Sequence, residues 1–444
     1  MNKKYLKVIG FTLLFLVTII YTYYIRPYVD DELFNYGFAL NIVKGLVPYK
    51  DFNMIIPPLF PYLLSIVIAL FGEKLLFYHI VIAGFIIAIT YLSYKKLGLR
   101  SIFVYLVLLI YPYTGYNMFC LFLFFILLNL KENKYTEYFE ALLICMMFLS
   151  KQTLGVLIIP SLIYAKNKKK VLAIYLTSIL AFLVYLIFNN NLLEFLDYCL
   201  FGMFDFADKN GTKLKFFFYI ELVIVIGLLI ASVKTKRKDL FYCLMFQVTA
   251  FPIVDYVHFV ISFIPVVFLT LKLLGKNRLV NIYIGATAIT YFILFNIGTF
   301  TQHEVYKYLG HYKPDNFMKG RVAHVSTDDY VFRVKEILDD YSDHRAYIFG
   351  NFAYLIKLNN DMPINKFDLI NNGNMGYNGT KKYIEEIDEY CSKNKCIFIV
   401  NDEEATEEKV TQTSKEILWY VKKNYTTEFS SSIFTVYRDR LVKK

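Results

Sequence analysis

Charge is what this sequence has least of. Asp, Glu, Lys and Arg make up only 19% of its 444 residues, against about 25% in soluble globular domains. That shortage excludes a soluble enzyme, a disordered protein and a nucleic-acid-binding protein as descriptions of the whole chain. Internal repeats and low-complexity tracts are also missing. The six cysteines are scattered, and no spacing resembles a zinc site. Cys120, Cys145, Cys199 and Cys243 fall in or beside apolar blocks and read as small buried hydrophobes. Cys391 and Cys396 bracket a polar SKNK, where a disulfide forms if the compartment is oxidising.

What is abundant is apolar sequence. Hydrophobic residues make 57% of the chain, aromatics 18%, and the mean hydropathy is +0.43. Blocks long enough to cross hydrocarbon recur, which makes this a polytopic membrane protein in a lipid bilayer. The net charge of +11 is unevenly placed. Residues 1–300 hold 27 Lys+Arg and 15 Asp+Glu, a net of +12, and residues 301–444 hold 21 and 22, a net of −1. The excess sits in the hydrophobic part, where the positive-inside rule explains it without a nucleic-acid partner.

The N-terminal MNKKYLK precedes VIGFTLLFLVTIIYTYYI. This run is longer than a signal h-region and no small-residue cleavage site follows, so it predicts an uncleaved first span with a cytoplasmic N-terminus. Segment 59–71 is too short to span comfortably and predicts a helix along the outer surface. Ten further spans are predicted near 75–93, 101–116, 118–130, 138–150, 153–165, 171–188, 216–233, 240–254, 258–274 and 279–300. This arrangement of about 11 spans puts SYKKLGLR, KENK, KNKKK, KTKRK and KNR on one side with the N-terminal lysines. The C-terminus is then outside the cell membrane.

The expected fold is an all-α transmembrane domain over 1–300, with an outer loop at 26–74 and the ionisable groups gathered at one face. A small α/β extracytoplasmic domain follows over 301–444. There, short β-rich runs such as AYIFG and CIFIVN alternate with polar helical patterns. NNGNMGYNG (371–379) is a loop without the strand–turn–helix setting of a dinucleotide fingerprint.

Chemistry concentrates in the first outer loop. Asp30, Asp31 and Glu32 follow the first span directly, and like charges at a membrane face are costly. They precede an amphipathic helical pattern, ELFNYGFALNIVKG, whose N-terminal dipole favours their ionised forms. An ionised carboxylate can act as a general base or hold a divalent cation, Mg or Mn.

The string Asp31-Glu32, Gly37, Leu40, Gly45, Pro48-Tyr49, Asp51-Phe52, then Pro57-Pro58-Leu59 and a helix ending Phe71-Gly72 resembles the first loop of the GT-C superfamily of membrane glycosyltransferases. Bacterial protein O-mannosyltransferase-like proteins and aminoarabinose transferases are similar over about 45 residues, and the topology is similar over roughly 300. The resemblance implies transfer of a sugar from a polyprenyl-phosphate carrier to an envelope polymer, lipid-linked glycan or protein. It implies Asp31 as base on the acceptor hydroxyl, with Asp30 and Glu32 tuning its charge or binding metal, and a loop motif of Tyr49, Asp51, Pro57 and Pro58. Arg26, Lys151 in Ser150-Lys151, and His258 near Asp255 are then candidates to bind the donor phosphate. Two positions depart from the pattern. Ile55 and Ile56 stand where relatives have a charged residue or His, and Asn117 stands in place of an acidic residue in the second outer loop. Two other readings are a lipid-linked glycan flippase, which would favour charged residues deep in spans, and a non-catalytic envelope scaffold.

Overall fold

The structure is a computed structural model. It describes residues 3–27, 29–202, 216–251, 254–301, 309–311, 316–349, 353–362, 376, 379–401, 415–431 and 434–440. Helices dominate. The first, α1 (Lys3–Ile19), runs into a π-helical turn at Ile20–Ile25 and stops at Arg26 and Pro27. The first long loop then holds α2 (Asp30–Val43) and α3 (Leu59–Phe71), before α4 (Leu75–Leu97) re-enters the bundle.

Contacts to α1 give the direction of its neighbours. Midway along α1, Phe11 packs edge-on against Tyr91 and Tyr94, late in α4. Near its end, Tyr23 packs on His79, early in α4. The two helices are therefore antiparallel. Gly98, with φ +61, ends α4 where a residue with a side chain would be strained. The chain then returns alongside α1, with Tyr105 at Thr18 (2.9 Å) and Tyr113 at Arg26 (2.7 Å).

The loops sort to two ends of the bundle. At one end Glu137 accepts from the backbone N–H groups of Lys166 and Asn167, Lys238 meets both Glu140 oxygens at 2.7 Å, and Lys272 meets Asp239 at 2.9 Å. At the other end Gln152 donates to the carbonyls of Ile55 and Cys199, and Asn191 to that of Pro48. Five helical segments among the described residues are long and apolar enough to cross a membrane: Tyr5–Ile25, Leu75–Leu108, Lys168–Phe188, Phe216–Thr235 and Tyr256–Leu274. Leu59–Phe71, Gly115–Asn129, Gln152–Tyr164 and Arg278–Leu294 are shorter apolar helices. The eleven expected spans are thus not matched by eleven full-length helices. The 101–116 segment, for example, is helical only over Ser101–Leu108, and residues 109–114 are irregular.

Helix α2 departs from the amphipathic pattern expected of it. Leu33, Asn35, Tyr36, Phe38, Ala39 and Leu40 are all buried. One face packs on α3, and the other is covered from far along the chain. Phe317 stacks on Tyr36 with ring centroids 5.5 Å apart, and the Ala353–Asn359 helix packs across α2. Phe317, Met318, Leu355 and Leu358 share one apolar core with the bundle.

The remaining C-terminal elements form the expected small α/β layer structure. β1 (Leu309–His311) pairs antiparallel with β2 (Val322–His324). A second sheet contains β3 (Arg345–Phe349), β4 (Cys396–Asn401), β5 (Tyr425–Ser430) and β6 (Phe434–Arg440) in the order β3-β4-β6-β5, with only β3 and β4 parallel. Period-2 alternation supplies both faces. Tyr347, Phe349, Phe398 and Val400 pack toward the Gly379–Cys391 and Lys415–Asn424 helices. Ile348, Ile397 and Ile399 pack on the other side with Val334 and Ile356. Cys391 and Cys396 are joined by a disulfide at the start of β4. Apart from Gly376 and Gly379, the 371–379 loop lies outside the described residues.

Candidate active site

The site begins where α1 unwinds. Beyond Arg26 and Pro27 the chain enters α2 at Asp30, leaving Asp31 in its first turn. The irregular 109–114 segment and the helix from Gly115 lie against this turn. Gly115 is required there, because a Cβ would fall 2.5 Å from the Phe60 ring and 2.9 Å from the Tyr78 hydroxyl.

One short stretch, residues 111–117, touches three of the residues singled out from sequence. Tyr111 donates to Asp31 Oδ2 at 2.7 Å and Thr114 donates to the same oxygen at 3.2 Å. The Tyr113 hydroxyl accepts from Arg26 Nε at 2.7 Å. Asn117 Oδ1 accepts from Lys151 Nζ at 3.1 Å. Asn117, noted in the sequence as the replacement for an acidic residue, is thus the lysine's anchor. Cys120, Lys151, Thr249, His258 and Ser262 line a small cavity beside it.

The side chains differ in setting. Asp31 is half-buried, and no hydrogen bond engages its Oδ1 among the described residues. Burial pushes its carboxyl above the usual range, while the Tyr111 and Thr114 hydrogen bonds and the nearby His258 oppose that shift. Desolvation therefore outweighs those hydrogen bonds. Arg26 is buried against the Tyr21 and Tyr113 rings, 5.6 and 5.7 Å from their centroids. Burial also lowers the Lys151 ammonium below its usual range, opposed by Cys120 and Asp255.

Asp255 caps the Tyr256–Leu274 helix through the His258 N–H and also meets His258 Nδ1, each at 2.8 Å. Its burial raises the carboxyl, but the His258 hydrogen bond and charge and the backbone N–H groups together hold it below the ordinary Asp value. The imidazole is thereby fixed by its Nδ1 edge.

Glu32 faces away from Asp31's partners. It is fully buried, and Arg321 reaches it with Nε to Oε1 at 3.0 Å and Nη2 to Oε2 at 2.9 Å. His79 Nε2 lies 3.2 Å from Oε2. Desolvation acts to raise this carboxyl, but the charges of Arg321 and His79 overcome it and hold Glu32 below the ordinary Glu range. With Glu32 so engaged, the described side chains do not fit a Mg or Mn site at the acidic loop, and no three of the described His, Cys, Asp and Glu residues cluster to hold a metal. The Asp30 side chain lies outside the described ones.

The loop motif builds the scaffold. Tyr49, at φ +67, closes a tight turn by its N–H to the Phe52 carbonyl, and its buried hydroxyl donates to the Ile56 carbonyl, both at 2.6 Å. Asp51 caps the same turn by accepting from the Val47 N–H at 2.7 Å. Pro57 and Pro58 lead into α3, which Pro58 precedes as the capping residue. Ser150 donates back to the Met146 carbonyl at 3.0 Å.

Two functional-looking groups escaped the sequence. Arg321 gives no local signal, because its partners lie almost 300 residues away. Glu221 lies in the Phe216–Thr235 helix, fully buried, where no charged residue was expected. Gln247 donates to it at 2.7 Å and Ser262 lies 3.4 Å away.

No family model matches the chain, and no curated protein matches it by sequence. Solved structures do. One is the crystal structure of ArnT from Cupriavidus metallidurans bound to undecaprenyl phosphate, with TM-score 0.55 and 10% identity over 97% of this chain and 98% of that one. This chain has the ArnT fold. An ArnT-like fold is what the first-loop resemblance implied. The Archaeoglobus fulgidus oligosaccharyltransferase in complex with Zn and sulfate is a weaker match, with TM-score 0.44 and 12% identity over 88% of this chain and 68% of that one. The ArnT-like fold agrees with the apolar helices in making this an integral membrane protein.

Proposed function

We propose that the chain is a glycosyltransferase that takes a sugar from a polyprenyl-phosphate carrier and passes it to an envelope acceptor on the outer membrane face. The observation that carries the reading is the 111–117 stretch, which brings a half-open carboxylate and two cations to one end of an ArnT-like bundle. Undecaprenyl phosphate bound to ArnT makes the same class of lipid the first candidate here.

Asp31 accepts the proton of the acceptor hydroxyl at its open Oδ1. The hydroxyl oxygen bonds to the anomeric carbon, and the carbon–oxygen bond to phosphate breaks with its electron pair going to the phosphate. A carboxyl raised above its usual range is the stronger base for this step. Arg26, Lys151 and His258 offset the charge that develops on the leaving phosphate. An apolar cavity of about 720 Å³ takes the prenyl tail. It is lined by Phe259, Phe263, Val267, Tyr283 and Ala288 among others, and Tyr256 and Tyr291 also contribute. The lysine-rich bundle end faces the cytoplasm and the Asp31 end faces outward. Asp31→Asn should abolish the surface sugar at normal protein level, and an unchanged sugar content would sink the catalytic role.

The buried Glu221 favours a second reading, transport of a lipid-linked glycan. In that case Glu221→Gln would block export, and Asp31→Asn would leave it intact.

A further inference from the structure

Arg321 is the largest unexplained group at this end of the molecule. Its side chain is fully buried although it lies beyond the last bundle helix. Besides its two bonds to Glu32, its guanidinium donates to the carbonyls of Tyr23 at 2.8 Å, Pro27 at 3.1 Å and Arg26. These three carbonyls lie at the end of the first helix, just before α2. An ended helix leaves its last carbonyls without partners, and a buried end needs them satisfied. Neighbouring contacts hold the same strip in place. Pro27 bridges Val322 in parallel, the Tyr23 hydroxyl donates to the Lys319 carbonyl at 2.9 Å, and the Leu75 N–H donates to the Phe317 carbonyl at 2.9 Å.

We propose that Arg321 is a positioning residue for the transfer reaction, by which the segment after the last bundle helix sets the directions of Asp31 and Arg26. The inference rests on the glycosyltransferase reading. Arg26 carries one of the gripped carbonyls, and Asp31 is the residue before gripped Glu32. A planar fork can hold a carboxylate and three carbonyls together, whereas a lysine offers a single charged point to the same set. The C-terminal region is thereby a structural part of the site.

Stability and positioning separate cleanly in a double variant. Removing one member of a buried ion pair leaves the other charge uncompensated, whereas removing both can be nearly neutral. Glu32→Gln combined with Arg321→Gln should therefore accumulate in the membrane and melt above the Glu32→Gln single variant, yet lose the carbonyl grip. Arg321→Lys keeps the charge and loses the fork. In both variants surface sugar should fall at least about tenfold, while undecaprenyl phosphate, still met by Lys151, His258 and an Arg26 held on Tyr113, should bind within about threefold of wild type. Wild-type surface sugar in either folded variant would overturn the proposal. Hydrogen exchange on the wild-type chain gives a readout free of activity and of folding defects. The amides of Glu32 and Leu33 should be among the slow ones, and rapid exchange there would also overturn it. Should Asp31→Asn leave surface sugar unchanged, the glycosyltransferase reading fails by itself, and the exchange result still reports whether the grip exists.

Discussion

The Tyr111 hydroxyl donates to the Asp31 carboxylate at 2.7 Å. This bond favours the ionised acid, against the burial that favours the neutral one. The pH dependence of transfer should show the outcome. The acid limb of the rate should lie above about 3.9, the ordinary Asp value. Loss of the Tyr111 bond removes a contribution that lowers the pKa, so Tyr111→Phe should move the limb further up. A hydrogen bond to a charged group is worth about 1.5–3 kcal/mol, or about one to two pH units. The check is the rate of sugar transfer in membranes against pH. A limb that stays put in Tyr111→Phe would remove Asp31 from the role of base.

Glu32 predicts a different pH signature, in stability. Its folded pKa is depressed by Arg321 and His79, so its contribution is present above the unfolded value, about 4.3, and is lost as pH falls through the folded one. Glu32→Gln leaves Arg321 buried without its partner and should cost about 3–5 kcal/mol near neutral pH. Thermal melts of the purified protein should show the gap between wild type and Glu32→Gln closing as the solution is acidified below the ordinary Glu range. A gap independent of pH would mean that the pair is not ionised in the folded protein.

How far the sequence carries can be judged from these residues. The place of Asp31, just after the first helix at the start of α2, was legible because a carboxylate directly after a span is expensive and sits in a recognisable string. The bundle's two ends were legible because lysines sort by side. The pairing of Glu32 was not legible, because its partner Arg321 is 289 residues away. The same distance hid the covering of α2. Its polar positions suggest a wet face, but Phe317 and the Ala353–Asn359 helix arrive from the far end of the chain. In the segment expected as a span at 153–165, regular α-helix covers only Ile158–Tyr164, since composition reports apolarity and does not report where a helix stops.

Lys151 should bind the donor phosphate through its charge. Lys151→Ala should weaken undecaprenyl phosphate binding by about tenfold or more, the size of one charge-assisted hydrogen bond. Asn117→Asp would place a carboxylate where Asn117 Oδ1 now accepts from the lysine. It should strengthen that local pair and compete with the phosphate. Titration of the purified protein with undecaprenyl phosphate checks both. Equal affinity in all three proteins would place the phosphate elsewhere.

The apolar cavity makes a prediction that is independent of charge. Ala288 lines it and is buried. Ala288→Phe fills part of about 720 Å³ without adding a polar atom. If the prenyl tail lies there, the variant should lose affinity for undecaprenyl phosphate and keep it for a short-chain prenyl phosphate. The acid limb set by Asp31 should not move. Equal loss for the long and short lipids would mean that the substitution distorted the site and did not block the tail.

A transferase that decorates the envelope must expose Asp31 outward. The basic residues at the other bundle end argue for this by the positive-inside rule. The four free cysteines are all buried, so an introduced surface cysteine can be labelled against a low background. Lys415 and Lys234 are both exposed, one in the C-terminal α/β region and one at the lysine-rich bundle end. A membrane-impermeant maleimide applied to intact cells should label Lys415→Cys. It should label Lys234→Cys only after the membrane is opened. The reverse pattern would put Asp31 and its sugar donor on the cytoplasmic face and exclude an extracytoplasmic acceptor.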